Sequence, residues 1–162
     1  MQIGVIGLGR MGGNISRRLM RAGHSCVVYD ANPNASAALA QEGAQAAHSL
    51  PDLVERLDEK PRAVWVMLPA GKITEETIAE LGRLLEPGDI IIDGGNTFYK
   101  DDIRRAKDLA AKQIRYVDCG TSGLFGERDV EVTFLGVLLD RRLADRRQPR
   151  RFEEACDRTL GC

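Results

Sequence analysis

Gln2-Ile3-Gly4-Val5-Ile6-Gly7-Leu8-Gly9-Arg10-Met11-Gly12 is the stretch on which the reading of this chain turns. A short apolar strand, Gln2–Ile6, runs directly into a Gly-x-Gly-x-x-Gly turn, and helical spacing begins at Arg10. Ile15, Leu19 and Met20 then share one side of a helix that lasts to Arg21, with Arg17, Arg18 and Arg21 on the other. Strand, glycine turn and helix in that order form the setting in which such a turn binds a dinucleotide. Gly7 allows the tight turn, Gly9 lets the backbone approach a pyrophosphate, and Gly12 lets the helix pack closely on the strand. Leu8, Arg10 and Met11 complete the loop, and the helix N-terminus offers free N–H groups and a dipole to the phosphate charge.

Outward from the loop, Ser25–Asp30 is a second strand ending on a carboxylate. At that place a carboxylate accepts hydrogen bonds from both hydroxyls of an adenosine ribose and repels a 2′-phosphate. The following Ala31 and Asn32 supply no arginine to attract one, so NAD is expected over NADP. The competing reading makes Asp30 a strand-ending, helix-capping aspartate.

The alternation continues with a strand near Gln45–Ala47, a helix over Pro51–Leu57, and the apolar run Ala63–Leu68 of a strand buried on both faces. Then come a helix over Thr74–Leu85, a strand at Asp89–Asp93, a helix over Asp101–Lys112 and a strand at Ile114–Asp118. Six strands with intervening helices predict an α/β fold, a doubly wound, mostly parallel sheet of Rossmann type with order 3-2-1-4-5-6. Three more loops fall on the carboxyl edge of that sheet, where ligands of such folds bind. Leu68-Pro69-Ala70-Gly71 can lie flat against a nicotinamide ribose, or serve as a plain strand-to-helix turn. In Asp93-Gly94-Gly95-Asn96 two glycines bring the main chain close to a ligand. The Asn96 amide, both donor and acceptor, suits a bridge between the cofactor and a polyhydroxylated substrate. In Gly120-Thr121-Ser122-Gly123, Ser122 and nearby N–H groups suit a carboxylate or hydroxyl, or the segment simply ends a strand. His24 and His48 are expected away from this edge, and Trp65 in the core.

Composition narrows the function classes. The 162 residues carry 23 basic and 24 acidic side chains, a net charge of -1 that offers no footprint for nucleic acid. No apolar run approaches the roughly 18 residues of a membrane span, and the N-terminus lacks a signal-peptide layout. Cys26, Cys119, Cys156 and Cys162 form no Cys-x-x-Cys pair, and with two histidines they make no zinc site. A cytoplasmic protein with reduced thiols and no metal is expected. After Gly123 the character changes: residues 124–162 hold eight arginines and no lysine, against ten arginines and five lysines before them. The division expected is a dinucleotide-binding domain over 1–123 and a divergent or truncated, irregular Arg-rich tail over 124–162. Val130–Leu139 reads as a strand or a buried helix turn. A natural tail and a change of reading frame near residue 124 both fit.

Gln2–Gly12, Met20-Arg21-Ala22-Gly23-His24 and Val66–Gly71 (VMLPAG) resemble the β-hydroxyacid dehydrogenases. The segment Ile91–Arg105 (IIDGGNTFYKDDIRR) is similar to the decarboxylating 6-phosphogluconate dehydrogenases in particular; hydroxyisobutyrate-type relatives carry a Ser-Thr pair where Gly-Gly-Asn stands here. The resemblance spans residues 1–123 and implies oxidation of 6-phosphogluconate and loss of carbon dioxide to give ribulose 5-phosphate in the pentose phosphate pathway. It implies that Gly7–Gly12 binds the cofactor diphosphate and that Asp30, Ala31 and Asn32 sit at the adenosine ribose. Leu68, Pro69 and Ala70 would line the nicotinamide side, Asn96 would touch cofactor and substrate, and Ser122 and Gly123 would bind the sugar-acid phosphate substrate. Where the family continues with a second glycine, this chain has Leu124. The family's lysine base and glutamic acid come from a following helical domain whose motifs do not appear after Gly123, so no catalytic residue is assigned. A homodimer is expected only if that helical domain is present. Two alternatives stay open: a non-catalytic NAD-binding regulatory module, and a β-hydroxyacid dehydrogenase acting on another substrate.

Overall fold

The computed structural model describes residues 1–95, 99–123 and 132–138. Its elements are β1 (Gln2–Ile6), α1 (Arg10–Arg21), β2 (Ser25–Tyr29), α2 (Pro33–Gln41), β3 (Gln45–Ala46) and α3 (Leu50–Glu55), then β4 (Ala63–Val66), α4 (Lys72–Leu84), β5 (Ile90–Asp93), α5 (Tyr99–Ala110), β6 (Arg115–Gly123) and β7 (Val132–Leu138). The strands form one sheet in the order β3-β2-β1-β4-β5-β6-β7. The first six are parallel and β7 runs antiparallel to β6. The expected order of the six parallel strands is the one observed. The chain starts in the middle of the sheet, builds outward through β2 and β3, and returns to the other side of β1 with β4. The switch point therefore lies between β1 and β4.

Strand alternation divides the core into two layers. Ile3 and Val5 of β1 join Val28, Leu39, Trp65 and the α1 residue Ile15 on one face of the sheet. Ile6 joins Leu53, Val64, Val66, Leu81 and Leu109 on the other, under α3, α4 and α5. All four residues of β4 are buried, as the continuous apolar run requires of a strand covered on both faces. Each such aliphatic side chain contributes about 1.5–3 kcal/mol by leaving water. Trp65 is 6% exposed and belongs to this core.

The departures from the expected boundaries have local causes. β2 stops at Tyr29 because Asp30 turns its carboxylate onto neighbouring backbone N–H groups. Ser49 accepts from Asp52 N at 3.2 Å and so starts α3 at Leu50. Gly71, in a conformation with φ of 116°, lets α4 begin at Lys72, and α5 begins at Tyr99. β6 does not end at Asp118. It continues to Gly123 because β7 pairs with it, from Val117 opposite Leu138 to Gly123 opposite Val132. Asp118 is level with Asp93 at the end of β5, so residues 119–123 run with 132–136 as a two-stranded ribbon past the sheet edge, about 16 Å at the usual rise. The segment left open between strand and helix turn is thus a strand. The Arg-rich residues 139–162 lie outside the described residues, as do 124–131.

Candidate functional site at the carboxyl edge of the sheet

Tyr29, Ile6, Val66, Asp93 and Asp118 are in register across β2, β1, β4, β5 and β6, so the loops that follow these strands open from one edge. The glycine loop is built by close approach. Gly7 has φ of 85°, and a Cβ on it would lie 2.3 Å from the Met67 carbonyl oxygen. A Cβ on Gly12 would lie 1.9 Å from the Gly7 carbonyl oxygen. Both glycines are therefore demanded by the protein's own backbone. Gly9 differs, because a Cβ there would meet nothing within 4 Å. The open space stands at the N-terminus of α1, where Gly9 precedes the helix without a side-chain cap and the first turn holds no acidic residue. An anion is favoured there by the exposed helix end and its dipole. The residues fit a diphosphate.

Asp30 stands at the next strand end, and its position is fixed from three sides. Its Oδ2 accepts from Leu8 N at 2.6 Å, its Oδ1 accepts from Asn32 N at 2.8 Å, and its own N–H donates to Ser36 Oγ at 3.2 Å. The cap of α2 is Asn32, whose Oδ1 accepts from Asn34 N at 3.1 Å. The reading of Asp30 as a helix cap is thereby corrected: it ties the glycine loop to the end of β2. Ala31 and Asn32 are exposed beside it, and no basic residue stands at either position.

After β4, Leu68 is partly buried against the core while Pro69, Ala70 and Gly71 are exposed on the edge. Thr74, fully buried in the first turn of α4, donates its hydroxyl to the Pro69 carbonyl at 2.8 Å and pins this loop. At the end of β5, Asp93 is fully buried and its Oδ1 accepts from Gly95 N at 2.9 Å. Gly94 has a reason for being glycine other than a ligand, since a Cβ would lie 2.5 Å from both Trp65 Nε1 and Met67 Sδ. Asn96 lies outside the described residues. Ser122 and Gly123 are strand residues of the ribbon, opposite Thr133 and Val132, rather than a loop closing β6.

Sequence reasoning missed the polar cluster under these loops. Arg105, 4% exposed, reaches Asp93 Oδ2 at 3.1 Å, Asp102 Oδ1 at 2.8 Å and Glu75. The Tyr116 hydroxyl donates toward Asp93 Oδ2 at 2.7 Å and lies 2.9 Å from Asp102 Oδ1. Burial raises the Asp93 carboxyl above the ordinary carboxylate range, against the opposing pull of Tyr116, Gly95 and Arg105. Burial also acts upward on Glu75, but hydrogen bonds from Arg104 and Arg105 outweigh it and hold that carboxyl low. The one signal in the sequence was the Asp102–Arg105 spacing, which puts the pair on one helix face.

The histidines divide. His24 follows α1 on the opposite edge, as expected. His48 follows β3 and so falls on the carboxyl edge, a correction, though on the outermost strand and with its amide donating to Asp52. Among the described residues no group of His, Cys, Asp and Glu could hold a metal ion, and no helix is long and apolar enough to cross a membrane.

Residues 2–137 match the family described as the NAD binding domain of 6-phosphogluconate dehydrogenase. The chain is similar to the NAD(+)-dependent, decarboxylating 6-phosphogluconate dehydrogenase of Haloferax volcanii, 45% identical over 123 residues, which is 76% of this chain and 40% of that protein. Among solved structures it is similar to Plasmodium falciparum 6-phosphogluconate dehydrogenase, studied with NADP+ and with 6-phosphogluconate, at TM-score 0.71 and 32% identity, covering 76% of this chain and 27% of the other. It is also similar to Mycobacterium tuberculosis 3-hydroxyisobutyrate dehydrogenase, at TM-score 0.67 and 26% identity, covering 75% and 40%. The chain thus spans well under half the length of these relatives.

Proposed function

The chain belongs to the family of the NAD-binding domain of 6-phosphogluconate dehydrogenase, and from that premise we propose that it is the cofactor half of a decarboxylating enzyme of that kind, catalytically incomplete by itself. The observation that carries the reading is the open space over Gly9 at an uncapped helix N-terminus, beside two glycines held by backbone contact. Gly7, Leu8, Gly9, Arg10, Met11 and Gly12 bind the diphosphate. Asp30, with Ala31 and Asn32 beside it, takes the adenosine ribose and favours NAD over NADP. Leu68, Pro69 and Ala70 line the nicotinamide side. Asn96 touches cofactor and sugar acid, and Ser122 and Gly123 bind the sugar acid from the ribbon.

The bound nicotinamide supplies the hydride acceptor for oxidation of the C3 hydroxyl of 6-phosphogluconate. This chain's residues bind and orient; the proton of that hydroxyl and the one delivered after carbon dioxide leaves need a base and an acid from a helical domain. The setting is a cytoplasmic one, in gluconate use through the pentose phosphate pathway, with dimer formation resting on the same helical domain.

A second reading, a dehydrogenase for another β-hydroxyacid, is favoured by the likeness to 3-hydroxyisobutyrate dehydrogenase. Gly94-Gly95-Asn96 supports the first. Calorimetric titration of the purified chain with NAD, followed by assay of NADH formation with 6-phosphogluconate and with 3-hydroxyisobutyrate, tests both. Saturable NAD binding is expected; a chain that binds no nucleotide overturns the proposal.

A further inference from the structure

Two of the carboxyl-edge loops are joined beneath the surface. Thr74 holds Pro69 by its hydroxyl, and Glu75 N donates to the Gly71 carbonyl at 3.1 Å, so the Leu68–Gly71 loop moves with the first turn of α4. The Glu75 carboxylate takes Arg105 Nε at 2.9 Å and also Arg105 Nη2. The other arm of the same guanidinium takes Asp93 Oδ2 at 3.1 Å, and Asp93 Oδ1 holds Gly95 N. Asp102 and Tyr116 close the cluster from α5 and β6. A single planar fork thus spans from the loop after β4 to the turn after β5, through four elements. No buried side-chain nitrogen or oxygen among the described residues lacks a partner.

This network, buried except at the partly exposed Glu75, costs desolvation, and apolar contacts of Ile78, Leu81 and Leu109 already pack α4 and α5 into the core. What it adds is geometry. A guanidinium fixes two acceptors at a set separation and angle, which an ammonium on a flexible stem does not. We propose that Arg105 is a positioning residue that sets the spacing between the Leu68–Gly71 loop and the Asp93–Gly95 turn, and through it the fit of the nicotinamide half of the cofactor. The adenosine half is assigned to Gly7–Gly12, after the neighbouring strand β1, and to Asp30, after β2, whose mutual bond does not pass through Arg105. This inference rests on the reading of the chain as an NAD-binding domain.

The test titrates the chain and its Arg105→Lys and Tyr116→Phe variants with NAD and with ADP-ribose, which lacks the nicotinamide. Arg105→Lys keeps the charge and loses the fork; Tyr116→Phe removes one hydroxyl from Asp93 and keeps the ring in the core. NAD affinity is expected to fall about tenfold in Arg105→Lys and about threefold in Tyr116→Phe, while ADP-ribose affinity stays within about twofold of the parent chain. If Arg105→Lys loses its circular dichroism spectrum, Tyr116→Phe decides alone. Equal loss for both ligands, no loss for either, or a parent chain that binds NAD no more tightly than ADP-ribose overturns the positioning role. A parent chain that binds neither ligand overturns the NAD-binding reading itself and this role with it.

Discussion

The Leu8 amide donates to the Asp30 carboxylate at 2.6 Å, joining the glycine loop after β1 to the end of β2. Asp30 therefore serves two purposes in the proposed site: it shapes the loop that receives the diphosphate and presents negative charge where a 2′-phosphate would lie.

NAD is expected to bind at least about tenfold more tightly than NADP, a difference of about 1.4 kcal/mol. Asp30→Ala should weaken both nucleotides, because Leu8 N loses its acceptor, and should bring the two affinities together, because the repulsion is gone. Competitive titration of both nucleotides into both proteins gives the ratio. An unchanged ratio in the variant would remove Asp30 from the discrimination.

Gly9→Val and Gly12→Ala should part company. The first places a side chain in open space and is expected to leave thermal unfolding within a few degrees of the parent while eliminating measurable NAD binding. The second drives a methyl group against the Gly7 carbonyl oxygen and should cost about 3 kcal/mol or more, read as a lowered denaturant midpoint. NAD binding retained in a folded Gly9→Val protein would make the loop a turn and nothing more.

Cys26 and Cys119 are buried, and burial pushes their thiols up to about 11 and about 12, with Asp118 adding to the second. At about pH 8 both should resist iodoacetamide in the folded chain and react after denaturation, since the thiolate is the nucleophile. Peptide mass mapping before and after guanidinium reads the difference; native labelling at either position contradicts the packing described.

With saturating NAD and 6-phosphogluconate the chain alone is expected to show no steady NADH formation. General acid–base groups usually contribute about 10²–10⁴-fold, and the proposed division of labour leaves them to a helical domain. The assay needs protein free of any host dehydrogenase. Turnover abolished by Asn96→Ala would show that this chain contains the full machinery.

Much of this was readable in advance. The strand, glycine turn and helix over 2–21 follow one another directly, each with its own spacing, so the sequence reveals them even though β1 is held by β2 and β4. The strand order is that of the doubly wound fold the alternation matches. The length of β6 was not readable, because residues 119–123 become strand only through a partner that begins at Val132. Asp93, Glu75 and Tyr116 come from three elements, and no local pattern announces that one arginine joins them. Gly94 was read as making room for a ligand, when Trp65 and Met67 already demand the space.

The antiparallel course of β7 decides where added protein would end up. Val132 begins beyond the sheet edge and Leu138 ends level with Val117, so β7 carries the chain about 20 Å back along the ribbon to a level one residue inside that edge. Leu138 is thus level with Val5, and a fluorescent reporter joined directly after it would start four strands across the sheet from the glycine loop, about 19 Å away at the usual strand spacing. The same reporter spliced between Gly123 and Val132 would instead be carried at the ribbon's tip, about 16 Å beyond the edge on which the nucleotide loops open.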